Sequence, residues 1–232
     1  MKATLDCAQS LGARFLCTGD TVRFLESTGE LRDSFPCRES GSTLRFFIPL
    51  ALCLGRAVTL RGSERLLERP LGVYEELCRE RGFVFEKSRE AVTLCGRLTA
   101  GAYRVRGDVS SQFISGLLFT LPLLEEDSKI HILPPFESRS YIDLTIQMLK
   151  KFGINIEWQD DLTLSIKGGQ KYIPHDETVE GDFSQFAFFG VLSAINNPVE
   201  ICGMDPTSLQ GDKQILDILS DFGCNVQFKN GS

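Results

Sequence analysis

Three short stretches bring together residue types suited to holding an anion. They are Ser110-Ser111-Gln112 within GDVSSQF (107–113), Ser40-Gly41-Ser42-Thr43 within ESGSTLR (39–45), and Arg69-Pro70 within LLERPLG (66–72). The first two run directly into apolar segments, where Ser, Thr and Asp are favoured as helix N-caps. A helix opening also leaves backbone N–H groups unpaired and carries roughly half a positive charge. The same place therefore suits a phosphate or carboxylate. Gly41 would allow an anion close to the backbone. Arg45 and Arg69 would add forked donors that match phosphate oxygens in pairs. Each feature also has a purely structural reading: capping for the serines, Pro at the first helical position for Arg69-Pro70, and a buried ion pair for Arg45. Residue types alone leave both readings open, and their coincidence on repeated units brings them closer together.

Other chemistries find no support. GxxxxGK[ST] and a strand-following GxGxxG are both absent, as is the GxSxG nucleophile elbow. His131 in KIHIL reads as a strand residue and His175 in YIPHDE as a loop residue. Glu125-Glu126-Asp127 and Asp160-Asp161 lie in turn-like contexts and read as solvated. The eight cysteines form no CxxC, and neither histidine lies near a cysteine pair. The expectation is no metal site, no cysteine nucleophile and a reducing cytoplasm.

The elements that must position these residues form an internal repeat. Three segments begin at ESGSTLRFF, GDVSSQFIS and GDFSQFAFF. Each has a Ser-containing opening and an apolar segment of about three turns. A short β-type run follows (AVTLRG, KIHILP, VEICGM), then an amphipathic helix stopped at Gly82, Gly153 or Gly223. Alternating runs FVFEK, INIEW and NVQFK come next, and VTLCG and LTLSIKG complete hairpins in the first two units. YRVRG and KYIPH are candidate strands before the second and third openings. Phe113, Ile114, Leu117, Leu118 and Leu121, and likewise Phe186, Phe188, Phe189, Val191, Leu192 and Ile195, predict first helices buried on nearly all sides. Ile142, Thr145, Ile146, Leu149 and Phe152 form one stripe, repeated by Ile215, Ile218, Leu219 and Phe222, which predicts second helices that cover a sheet. Residues 1–35 read as the closing half of an earlier unit, a Gly-stopped helix and the hairpin CTGDTVRF. The chain therefore reads as an internal piece of something longer.

Composition bounds the partners. The 232 residues are 42% hydrophobic and 24% charged with a formal net charge of -6, ordinary for a globular protein and without a general attraction to nucleic acid or anionic membrane. No apolar run reaches the roughly 18 residues of a membrane span, and MKATLDCAQS has no signal-peptide core.

ESGSTLRF, the ERP of LLERPLG, GDVSSQF, SRSYIDLT, VEGD and LQGD occur in the order and spacing of the 5-enolpyruvylshikimate-3-phosphate synthases, and over nearly all 232 residues the chain resembles that family. The related UDP-N-acetylglucosamine enolpyruvyl transferases fit less well, since their reactive-cysteine loop has no counterpart near Arg69. The resemblance implies an α/β (α+β) fold of β-α-β-α-β-β units, the enolpyruvyl transferase inside-out α/β barrel, here incomplete. Residues 1–178 would be most of the first domain and 179–232 the beginning of the second. It implies transfer of the enolpyruvyl group of phosphoenolpyruvate to the 5-hydroxyl of shikimate-3-phosphate, with release of phosphate and no cofactor. Ser110, Ser111 and Ser138 would bind the substrate phosphate, and Tyr141 would lie against that substrate. Gln112 would reach the enolpyruvyl region, and Gly41 and Arg69 would contact the phosphoenolpyruvate phosphate. Arg45 matches a family arginine near that site. The family's Lys-Ser motif and most of its second domain, with the catalytic aspartate, have no counterpart here, and Glu39 stands where many members have Asn. Taken alone, the chain would be weakly active or inactive. A non-catalytic shikimate-3-phosphate binding module is the alternative. Full-length members would be monomers, and this piece could self-associate through exposed strand edges.

Overall fold

The computed structural model describes residues 1–27, 29–196 and 198–228. The chain divides into two compact units. One comprises Met1–Glu137 with Ile154–Lys171, and the other Ser138–Gly153 with the described residues from Tyr172 onward.

In the first unit the repeat is visible as two sheets of identical topology. The first runs β3(Ser34–Arg38)–β4(Val58–Gly62)–β6(Ala91–Cys95)–β5(Val84–Lys87), and the second β7(Ala102–Arg106)–β8(Ser128–Leu133)–β10(Thr163–Ile166)–β9(Ile156–Asp160). In each, the first pair is parallel, with Phe35 opposite Leu60 and Tyr103 opposite Ile130, and the remaining pairs are antiparallel. A parallel pair needs a crossover long enough to return the chain. The crossovers are α2(Gly41–Cys53) and α5(Ser111–Leu118), the latter continued by a 3-10 turn at Leu121–Leu123. Alternation on the leading strands puts Phe35 and Cys37, and correspondingly Tyr103 and Val105, into the core.

The apolar crossover helices are buried as their composition demands. Phe113, Ile114, Leu117, Leu118 and Leu121 are fully buried, as are Ile48, Ala51 and Leu52 on α2; full burial contributes about 1.5–3 kcal/mol for each large side chain. The two helices meet closely because residue 116 is Gly. A Cβ there would lie 2.8 Å from the Arg45 carbonyl oxygen and would also strike the Tyr74 hydroxyl. Phe46 and Phe119 close the crossing edge-to-face with centroids 5.1 Å apart. The amphipathic helix α4(Gly72–Glu80) packs on β5 and β7. The earlier half-unit is α1(Lys2–Ser10), whose chain reverses at Gly12 and continues into the hairpin β1(Arg14–Thr18)–β2(Thr21–Leu25). One element escapes the sequence pattern, the single turn α3(Glu64–Leu67), capped by Ser63. It displaces the next helix start, so that Pro70 precedes the N-cap Leu71 and does not occupy the first helical position.

The second unit contains α6(Arg139–Lys151), α7(Phe183–Ile195), a 3-10 turn at Gly211–Gln214 and α8(Ile215–Asp221). The stops at Gly82, Gly153 and Gly223 all hold, with φ of 69°, 81° and 82°, the left-handed position that ends helices. VEGD and LQGD find each other. Gln210 donates to the Glu180 carboxylate (2.9 Å) and the Gly181 carbonyl (2.8 Å), and it accepts from Phe183 N (2.9 Å) at the opening of α7. Lys151 pairs with Glu177 at 2.9 Å, and His175 stacks edge-on against Phe152.

Three expectations fail in this unit. KYIPH and VEICGM are not strands, and neither are the described residues of NVQFK; Lys229 of that run lies outside the described residues. A strand needs a neighbour to satisfy its ladder, and no described residue here supplies one. The burial expected for α7 fails with them: only Phe183 and Gly190 are buried, while Phe188 and Ile195 are 73% and 74% exposed. The stripe on α8 is likewise reduced to buried Leu219.

Candidate functional site

At the opening of α2 the Ser40 hydroxyl accepts from Thr43 N at 3.3 Å and from the Thr43 hydroxyl at 2.8 Å. The cap read from the sequence is therefore present. Gly41 lies one residue further on and is buried. A Cβ at Gly41 would sit 2.7 Å from Arg69 Nη1 and 3.3 Å from Arg45 Nη1. Two guanidinium heads thus converge on one helix N-terminus, and only a hydrogen side chain leaves room for them. Arg69 is carried there by the short segment that follows α3, held by Arg69 N donating to the Leu66 carbonyl at 3.2 Å.

The ion pair anticipated for Arg45 is not what holds it. Its Nη1 donates to Gln112 Oε1 at 2.7 Å, its Nη2 donates to the Pro70 carbonyl at 3.3 Å, and its plane lies 5.1 Å from the Phe113 ring centre. Among the described residues neither Arg45 nor Arg69 has a carboxylate partner. Burial, and then the charge of Arg69, pull the Arg45 pKa down from its ordinary value. The lowering starts from a guanidinium value above 12, so Arg45 keeps its charge at neutral pH. Two like charges with no carboxylate partner among the described residues favour an anion beside them, and the Arg69 fork is of the kind that binds phosphate oxygens in pairs.

The opening of α5 completes this side. Ser110, in extended conformation, caps the helix by accepting from Gln112 N at 3.3 Å. Ser111 is its first residue and Gln112 its second, both half-buried. The preceding Asp108 accepts a two-pronged pair from Arg106 at 3.0 and 2.6 Å, which ties the loop to the end of β7. In GDFSQF the Asp itself caps, with Asp182 accepting from Ser184 N at 2.8 Å. The two GD openings look alike in sequence and do different things.

Sequence reading missed Tyr74. Its ring is completely buried, meets Phe113 edge-on at 4.9 Å, and its hydroxyl donates to the Phe113 carbonyl at 3.0 Å. Phe113 is thereby held between Tyr74 and Arg45, which fixes the first turn of α5. The available signal was a Tyr on the apolar stripe of α4, where a buried hydroxyl must find a partner.

Gly41, Arg45, Arg69 and Gln112 are therefore joined through direct contacts, with Ser110 and Ser111 adjacent on α5. Ser138 and Tyr141 belong to the second unit. Ser138 is the N-cap residue of α6, and its hydroxyl makes no cap hydrogen bond. Tyr141 is 40% exposed, and its hydroxyl donates to the Asp212 carboxylate. That bond, with burial and the Asp212 charge adding to it, raises the phenol to about 12. Among the described residues no group of His, Cys, Asp and Glu is arranged to hold a metal, and no helix is long and apolar enough to cross a membrane.

The model of the EPSP synthase (3-phosphoshikimate 1-carboxyvinyltransferase) family matches residues 1–232. The 3-phosphoshikimate 1-carboxyvinyltransferase of Clostridium kluyveri is 43% identical over 99% of this chain and 55% of its own length. That of Clostridium novyi is 46% identical over 84% of this chain and 45% of its own. The chain thus spans about half the length of the curated relatives it matches. An EPSP synthase structure from Acinetobacter baumannii aligns with a TM-score of 0.74 over 96% of this chain and 51% of that one, at 20% identity, which establishes the shared fold. Family match, relatives and fold agree with the repeated sheets and paired helix openings described above: the chain belongs to the EPSP synthase family.

Proposed function

We propose that this chain supplies the shikimate-3-phosphate side of an enolpyruvyl transferase acting in the shikimate pathway, toward chorismate and the aromatic amino acids. The whole protein would join the 5-oxygen of shikimate-3-phosphate to the enolpyruvyl carbon of phosphoenolpyruvate and break that carbon's bond to the phosphate oxygen, the released phosphate carrying away the 5-hydroxyl proton in the net reaction. The observation that carries this reading is the convergence on the N-terminus at Gly41 of two guanidinium groups that have no carboxylate partner among the described residues. Arg69 and Gly41 are assigned to the phosphate of phosphoenolpyruvate, where fixed donors would offset charge building on the departing group. Ser110 and Ser111 are assigned to the phosphate of shikimate-3-phosphate, and Gln112 to the enolpyruvyl region. On the resemblance of SRSYIDLT to the family motif, Ser138 and Tyr141 are proposed as shikimate-3-phosphate residues as well.

In this reading residues 1–178 are most of the first domain, 179–232 open the second, and the full-length protein works as a cytoplasmic monomer. The 232-residue chain alone binds shikimate-3-phosphate and releases little or no phosphate from phosphoenolpyruvate. Calorimetric titration with shikimate-3-phosphate, followed by a phosphate-release assay with both substrates, tests this. Saturable one-to-one heat with negligible turnover is expected. Absence of heat would remove the assignment, and turnover at the rate of a full-length relative would overturn the inactivity.

A further inference from the structure

Arg45 is not itself placed against a substrate by the reading above, yet it makes two hydrogen bonds and a ring contact at the site. Its guanidinium contains only N–H donors. The Gln112 atom 2.7 Å from Arg45 Nη1 must therefore be the carbonyl oxygen, and the orientation of that amide is decided by chemistry. With Oε1 committed, the amide offers its NH2 group outward. Among the described residues Nε2 has no protein acceptor, and Gln112 is half-buried at the second position of α5.

We propose that Arg45 is a positioning residue that holds the Gln112 amide with its carbonyl inward and its NH2 presented to an anionic or carbonyl-bearing ligand. The inference rests on the functional reading given above, in which Gln112 reaches the enolpyruvyl region. Three contacts fix Arg45 for this role: the Phe113 ring beneath its plane, the Pro70 carbonyl on Nη2, and Gln112 on Nη1. Its Nε is buried and has no partner among the described residues, so none of them competes on that edge of the fork for its orientation. A planar fork can meet Gln112 and Pro70 together while lying over a ring, whereas a lysine ammonium is a point charge on a flexible stem. Without the arginine, the two amide ends become nearly equivalent, and half of the Gln112 population would present an acceptor to an acceptor-rich ligand.

The test reads the side-chain amide of Gln112 by 15N relaxation in the ligand-free 232-residue chain, its signal assigned by loss in Gln112→Leu. In the parent chain the amide should behave as a rigid group, with an order parameter approaching about 0.85. In Arg45→Met it should fall below about 0.6, the flexible range, while the backbone fingerprint stays dispersed. Arg45→Lys keeps the stem and charge and serves where the methionine variant does not fold; it should lose much of the same order. An unchanged Gln112 amide in either folded variant overturns the proposal. A companion titration with shikimate-3-phosphate separates the two claims: failure of the parent chain to bind counts against the functional reading, while the ligand-free spectrum still decides the positioning role.

Discussion

Ser110 can be asked to cap without binding. Its hydroxyl accepts from Gln112 N at 3.3 Å, the long end of a useful hydrogen bond. Ser110→Ala should therefore cost toward the lower part of the usual capping range, about 0.5–1 kcal/mol. For a chain of this size that lowers Tm by roughly 2–4 °C per kcal/mol. Ser110→Asp restores the cap, since Asp caps as well as Ser, and its charge suits the helix N-terminus, so Tm should return to the parent value. The same carboxylate would face the substrate phosphate. At about 4 Å and an effective dielectric near 20, each pair of like charges costs about 4 kcal/mol. Even after discounting for solvent, the loss in shikimate-3-phosphate affinity should exceed about 100-fold, or 2.7 kcal/mol. Scanning calorimetry and titration calorimetry on the three proteins give both quantities. Parent-like binding by Ser110→Asp would refute phosphate binding at α5. An unchanged Tm in Ser110→Ala would refute the cap.

Gly41→Ala should leave folding within about 1 kcal/mol, since Ala is the better helix former and exposed Arg69 can swing aside, while the anion contact proposed for Arg69 is lost; a phosphate-release assay in a full-length protein carrying this segment should show a raised KM for phosphoenolpyruvate, and an unaltered KM contradicts the site. All four tyrosines have raised phenol pKa values. Tyr74 is raised by burial, Tyr103 by burial to about 12, Tyr141 by Asp212 to about 12, and Tyr172 by burial. Because folded values lie above the unfolded value near 10, the associated stability is complete below pH 10 and fades as pH rises through 12. Tyrosinate absorbance should consequently stay flat at pH 10 in the native chain and appear with unfolding; a native step at pH 10 contradicts this. Thiol reagents at pH 8 should label exposed Cys17, Cys95 and Cys202 first. Cys53 and Cys78, raised by burial to about 11 and 12, and Cys37, raised by its side-chain hydrogen bond with the free thiol of Cys7 and by burial, should react only on unfolding; fast labelling of Cys78 would refute the packing of α4 on β5 and β7.

The repeat was legible because its signals are local. Caps at Ser40 and Ser110, glycine stops at Gly82, Gly153 and Gly223, and alternation in AVTLRG and KIHILP each depend on a few neighbours in sequence. The site arginines were legible as types and not as contacts. Arg45 was open to an ion-pair reading because nothing local says that Gln112, 67 residues away, supplies the carbonyl. The turn at Glu64–Leu67 was missed because four residues carry too little periodicity. VEICGM failed for a different reason, since its β-type composition is real but strand formation depends on a partner that no described residue provides. The likeness of GDVSSQF and GDFSQF marks equivalent places in the repeat, while the cap moved from Ser110 to Asp182.

The central claim is that the opening of α5 receives the phosphate of shikimate-3-phosphate. Chemical-shift mapping on the 15N-labelled 232-residue chain tests it most directly. The account predicts that adding shikimate-3-phosphate moves the backbone amides of Ser110 through Phe113 furthest, saturably and with the largest downfield change at Ser111 or Gln112. Saturation with those four amides unmoved, or no saturable change anywhere, would contradict it.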